Sequence, residues 1–137
     1  MDFIRLIALG YAVALTIAAA LNYVPGLTDA EGRAFGIFAL DIYDDLLHLA
    51  SATWAAVAAF WSRSATVTFL KLFGTLYGLD GLFGLVTGSG FLDLGILIHG
   101  VQNLPFGFKI LANLPHLALG GFAVYADFFL APRMEAR

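Results

Sequence analysis

The sequence predicts an all-α integral membrane protein, a four-helix bundle built from two parallel two-helix repeats. Hydrophobic residues make up 61% of the 137 residues and charged residues only 12%, whereas a soluble domain carries about 25% charged residues. Four long apolar segments alternate with more polar loops. A short polar-x-x-His motif also occurs twice, at the mouths of the second and fourth apolar segments, as Asp45-x-x-His48 and Asn113-x-x-His116. We therefore expect one domain with repeat halves of about 1–64 and 65–137.

Composition excludes several functional classes. The chain has no cysteine, so it has no disulfide, no thiolate metal site and no cysteine nucleophile. A net charge of −3 leaves no basic surface for nucleic acid, and no motif of a known catalytic type is present. A non-enzymatic protein is favoured, and its expected partners are the lipid bilayer and other membrane subunits or a second copy of the chain.

The first helix is predicted over about residues 3–22. A run of roughly 20 apolar residues is long enough to cross a hydrocarbon core of about 30 Å. The alternative is a cleaved signal peptide, because Ala18-Ala19-Ala20 resembles a processing site, but the run exceeds the usual length of about 7–15 residues. Gly10, Ala14 and Ala18 recur at four-residue spacing, which predicts a seam for close helix packing.

The second helix is predicted over about 45–62, after an acidic loop that begins with a turn at Pro25-Gly26. In this loop the apolar stretch 34–40 is too short to span a membrane, which predicts an interfacial or re-entrant segment. A comparable semi-apolar segment begins at Phe91. In the second helix a small-residue stripe shares one face with His48, which predicts packing against another helix: Ala52, Ala55 and Ala59.

The third and fourth helices are predicted over about 65–86 and 110–131. Frequent glycines in the third suit tight membrane packing. Asp80 lies past the middle of this helix, where a carboxylate costs roughly 2.5–3.5 kcal/mol. We expect it to be protonated, bonded to Tyr77 or to backbone, or beside a water pocket. Asp127, near the inner interface on the fourth helix, is the second intramembrane ionisable residue.

The basic residues predict the topology. Five fall on one side of the predicted helices and two, Arg33 and Lys109, on the other. Lysine and arginine concentrate on the cytoplasmic face, so both termini should be cytoplasmic and the two long loops should face outward. The multi-pass protein would then lie in the inner (cytoplasmic) membrane of a bacterium. The five inward residues are Arg5, Arg63, Lys71, Arg133 and Arg137.

The two histidines admit two interpretations. In the structural one, each imidazole holds its own helix mouth to a neighbouring helix or loop, and Asp45 and Asn113 are helix N-caps. In the other, His48 and His116 are ligands for a metal or a tetrapyrrole, since two helices with one histidine each hold such cofactors. Asp44 and Asp45 would add carboxylates to a metal site. The cofactor itself is not identified.

The motifs together resemble an uncharacterised family of small four-helix bacterial membrane proteins. They are Val24-Pro25-Gly26, the stretch 35–38 and the repeated polar-x-x-His motif. The family's first motif reads Asn-x-x-His, where Asp45 stands here, while Asn113 keeps the amide. The resemblance implies the four-helix membrane fold and no activity, because the family's function is unknown.

Three functions stay open at this level. The preferred one is an accessory or scaffold subunit that packs against other membrane helices. The second is a metal- or tetrapyrrole-binding protein that uses His48 and His116. The third is an oligomeric proton or ion transport element that uses Asp80.

Overall fold

A computed structural model describes residues 1–135, apart from the side chain of Glu135, and within them the chain is helical and contains no strand. The predicted inward position of Arg137 lies outside the described residues. The helices are α1 Phe3–Ala20, α2 Ile42–Trp61, α3 Arg63–Thr87, the short α4 Gly95–His99, α5 Phe106–Tyr125 and α6 Ala131–Glu135. A 3-10 turn, Leu21–Tyr23, extends α1, and a π-helical turn, Ala126–Leu130, joins α5 to α6.

Three helical stretches are long and apolar enough to cross a membrane: Phe3–Tyr23, Arg63–Thr87 and Phe106–Met134. The second predicted membrane helix, α2, is not among these three. Its first two turns contain Asp44, Asp45 and His48, which lower its hydropathy.

The long helices form two antiparallel pairs, α1 with α2 and α3 with α5. Smaller contacts of α3 with α1 and α2 join the pairs. Only Ser62 separates α2 from α3, and its side chain caps α3 by accepting a hydrogen bond from the Ala65 amide. We call this end of the molecule the turn end. We call the opposite end, which carries the loops 21–41 and 88–105, the loop end.

Two predicted helix starts are wrong. α2 begins three residues early, because Asp41 is its N-cap and forms a capping box with Asp44. α5 begins at Phe106, directly after Pro105, which cannot donate an amide hydrogen. Asp45 is therefore not a cap of α2, and Asn113 lies two turns inside α5, where its amide donates to the Lys109 carbonyl at 2.8 Å. Pro115 is also inside this helix.

Glycines bring α3 and α5 into close contact, as their frequency in the sequence predicted. A Cβ added at Gly120 would lie 2.8 Å from the Gly78 Cα and 2.9 Å from the Gly74 carbonyl oxygen. A Cβ at Gly81 would meet Leu117, and one at Gly84 would overlap the amide of Asn113. The backbones approach so closely that side chains are excluded along this seam.

The seam predicted on α1 does not pack within the chain. Gly10 and Ala14 are exposed, and a Cβ added at Gly10 would have open space around it. Instead, the opposite side of α1 is buried in the core, where Tyr11 packs edge-on against the rings of Phe69 and Phe73 on α3. The stripe predicted on α2 is buried, with Ala55 and Ala59 fully enclosed. The buried residues of α1 are Ile4, Ala8, Tyr11, Leu15 and Ala19.

Two arginines tie the helix ends together at the turn end. Arg5 donates to the Ala59 carbonyl at 2.6 Å, and Arg63 donates to the Ala131 carbonyl at 2.8 Å. Arg63 also pairs with Asp2 at 3.0 Å. Partial burial opposes ionisation of Asp2, but the Arg5 amide and the Arg63 guanidinium outweigh it and lower the pKa of this carboxyl. The guanidinium of Arg5 lies against the C-terminus of α2, where positive charge is favoured.

Candidate functional site

The two helix pairs enclose a cavity of about 360 Å³ at the loop end. Its wall contains residues of α1, α2, α3 and α5 as well as both long loops. Most of the wall is apolar, but eight titratable side chains also line it: Arg33, Asp41, Asp44, His48, Asp80, Asp93, His99 and His116. A largely apolar cavity with a few convergent polar groups is the usual form of a small-molecule site.

Asp80 is the most deeply buried of these groups, with 1% of its surface exposed. Its Oδ1 accepts hydrogen bonds from the amides of Phe91 and Leu92, at 2.7 and 3.0 Å. Its Oδ2 lies 2.6 Å from Nδ1 of His116. Backbone was one of the partners expected from the sequence. Tyr77 is not a partner, because its hydroxyl is hydrogen-bonded to that of Ser51 at 2.9 Å.

The two motif histidines lie together at the cavity wall. Their rings are 6.2 Å apart between centroids, with one edge toward the face of the other. They have different partners, however. His116 pairs with Asp80 on α3, so it joins its own helix to a neighbouring one, which is one of the two kinds of partner that the structural interpretation expected. His48 is 7% exposed, and its Nδ1 has no hydrogen-bond partner within residues 1–135.

Two aspartates lie on the loop side of the cavity. Asp44, at the start of α2, and Asp93, in the loop before α4, both line this side of the cavity and interact electrostatically. Asp93 also accepts a hydrogen bond from the Gly95 amide at 2.9 Å.

Adjacent carboxylates on α2 have separate roles. Asp45 accepts a hydrogen bond from the Tyr23 hydroxyl at 2.8 Å and does not line the cavity. Successive helix residues differ by about 100° in direction, so Asp44 and Asp45 face different neighbours. Among the described residues, no group of three or more histidine, aspartate or glutamate side chains is arranged to hold a metal ion. The four metal ligands predicted from the sequence are thus separated. Asp44, His48 and His116 line the cavity, and Asp45 does not.

Asp127 is remote from this cavity. It lies in the π-helical turn after α5, is buried, and its Oδ2 finds no hydrogen-bond partner among the described residues. A relay between Asp80 and Asp127 would have to pass the closely packed glycine seam, because Gly120 lies between them along the helix pair.

Sequence reasoning assigned no role to Asp93. The one signal available was its isolation, since it is the only acidic residue between Asp80 and Asp127. Sequence reasoning also missed the hydrogen bond between the hydroxyl groups of Ser51 and Tyr77. The two residues lie on different helices, and neither departs from the residue pattern of its own helix.

Comparison of the chain with protein-family models, with curated proteins and with solved structures finds no match.

Proposed function

We propose that this chain is a multi-pass protein of a bacterial cytoplasmic membrane, with α1, α2, α3 and α5 as its four spanning helices. The two antiparallel pairs support two parallel repeats, since each copy of the polar-x-x-His motif lies near the loop end of the second helix of its pair. The basic residues Arg5 and Arg63 at the turn end support cytoplasmic termini. The resemblance to the small four-helix family stays a prediction.

A pair of single-cysteine variants tests this topology. The chain has no native cysteine, so Glu31→Cys at the loop end and Ser64→Cys at the turn end each carry one thiol. Both positions are exposed. In intact spheroplasts we expect a membrane-impermeant maleimide to label the Glu31→Cys variant at once and the Ser64→Cys variant only after lysis. The reverse pattern would refute the proposed orientation.

Within that membrane protein, we propose that the loop-end cavity binds a small polar solute from the outer side. The observation that supports this is the convergence of His48, His116, Asp44, Asp80 and Asp93 on one partly open cavity. A purely accessory subunit would use its outer helix faces and would need no such cavity. We therefore place solute binding ahead of the scaffold role that composition alone favours.

Two buried serines test whether the cavity is open to solution. Ser89 lines it and is 6% exposed, whereas Ser51 is 7% exposed and does not line it. We expect a small charged methanethiosulfonate to modify the Ser89→Cys variant in the folded protein at least tenfold faster than the Ser51→Cys variant. Both thiols should react fully after denaturation in SDS. Equal, slow reaction of the two folded variants would mean that solutes do not enter the cavity, and solute binding would then be wrong.

A further inference from the structure

We propose that the solute is a small organic amine in its protonated form, with its ammonium group at Asp44, Asp93 and His48. This inference rests on the proposed solute-binding function and names the chemical class of the ligand. The three side chains named are the ones whose charge or hydrogen-bonding capacity is not fully used by contacts inside the bundle.

The charges that line the cavity favour a cation. Four aspartates face one arginine, and that arginine is directed to its own loop, with Arg33 3.5 Å from Asp29 and 3.8 Å from Glu31. Asp80 is fully engaged by His116 and two backbone amides. Asp41 is the N-cap of α2 and accepts hydrogen bonds from the amides of Tyr43 and Asp44. The acidic groups that remain for a ligand are Asp44 and Asp93.

His48 supplies an independent indication of a ligand. Its Nδ1 lacks a hydrogen-bond partner although the side chain is more than nine-tenths buried at the cavity wall. A buried polar atom without a partner costs about 1–3 kcal/mol, which a bound donor would remove. An ammonium group carries three N–H donors and no acceptor. It therefore matches two carboxyl groups and the Nδ1 of His48 in the tautomer that carries its proton on Nε2.

The remaining wall indicates an organic cation. No group of three or more metal-binding side chains has suitable geometry in the described part of the chain, so a bare metal ion is disfavoured. Beside the polar cluster lie Leu15, Ala18 and Leu119, all apolar. A short alkyl chain attached to the ammonium group would bury its surface there, at about 25 cal/mol per Å².

Three four-carbon probes of matched shape test the proposal: butylammonium, 1-butanol and butyrate. Titration calorimetry on the full-length protein in detergent micelles should show butylammonium binding at least tenfold more tightly than either other probe. The variant Asp93→Asn should weaken butylammonium binding at least tenfold. Asp2→Asn removes the same charge at the turn end, outside the cavity, and should change the affinity by less than twofold.

The outcomes separate this inference from the function on which it rests. Equal binding of butanol and butylammonium, with both lost when Ala18→Trp fills the cavity, would keep solute binding and overturn the amine. Preferential binding of butyrate would do the same. If butylammonium binds equally to Asp93→Asn and to the native protein, the site is not the one named here. If no probe binds although the Ser89→Cys thiol reacts, the cavity is open and the amine assignment is wrong.

Discussion

Replacing Asp80 with leucine should lower the free energy of unfolding by about 3–5 kcal/mol, the usual effect of removing one member of a buried, hydrogen-bonded polar pair. The physical reason is that three donors lose their acceptor together: the amides of Phe91 and Leu92, and Nδ1 of His116. The measurement is reversible unfolding in mixed detergent and SDS micelles. We also expect faster proteolysis of the loop 88–105, because Asp80 anchors the start of this loop to α3.

Asp80→Asn is the matched control. Its carbonyl oxygen can still accept from the two amides, and the ring of His116 can accept from the new amide group in its other tautomer. We expect a loss of no more than about 1–2 kcal/mol, within the range for one altered hydrogen bond. An Asp80→Leu protein as stable as the native one would contradict the buried contacts described here.

The same pair predicts coupling between Asp80 and His116. Once Asp80 is leucine, His116→Leu should cost less than it does in the native protein, since its partner has gone. We expect a coupling energy of about 1–3 kcal/mol from the double-mutant cycle. His48→Leu, by contrast, should add independently to Asp80→Leu, because Asp80 is bonded to His116 and not to His48. If the stability losses of Asp80→Leu and His116→Leu were simply additive, the two side chains would not be paired.

Replacing Gly120 with alanine should be the most damaging single-methyl change in the bundle. The added carbon would overlap the backbone of Gly78 on α3, whose Cα would be 2.8 Å away. Because both partners are backbone, relief requires the helices to separate, and overpacking of this kind costs about 1–3 kcal/mol or more. The measurement is again unfolding in mixed micelles, with the midpoint compared at constant lipid and detergent.

Gly121 supplies the control for this change. It is the next residue on α5, and a Cβ there would have nothing within 4 Å. Alanine at an exposed helical position is favoured over glycine by about 1 kcal/mol, so Gly121→Ala should leave stability unchanged or raise it. If the two alanine variants were equally stable, the close approach of α3 and α5 would be wrong.

The sequence alone determined the parts of this protein that depend on composition and helical period. A chain with so few charges and four long apolar segments has to form helices, because buried or lipid-facing backbone must satisfy its own hydrogen bonds. The buried stripe around Ala55 follows from the 3.6-residue repeat. The glycines of α3 follow from the need for small residues where helices touch. Helix starts were less well determined. Asp41, Asp44 and Asp45 are all possible caps of α2, and the semi-apolar segment before α5 has no sharp boundary in hydropathy.

Only the tertiary structure decided which polar groups meet. Asp80 and His116 are separated by 36 positions in the sequence, and each had a plausible local partner on its own helix or loop. Asp93 and Asp44 line the same cavity because the loop before α4 and the start of α2 both lie at the loop end. Periodicity tells which side of a helix is apolar, but not which helix faces it or at what height. Those depend on contacts such as the glycine contacts that set the register of α3 against α5, and this register brings Asp80 and His116 together at the cavity.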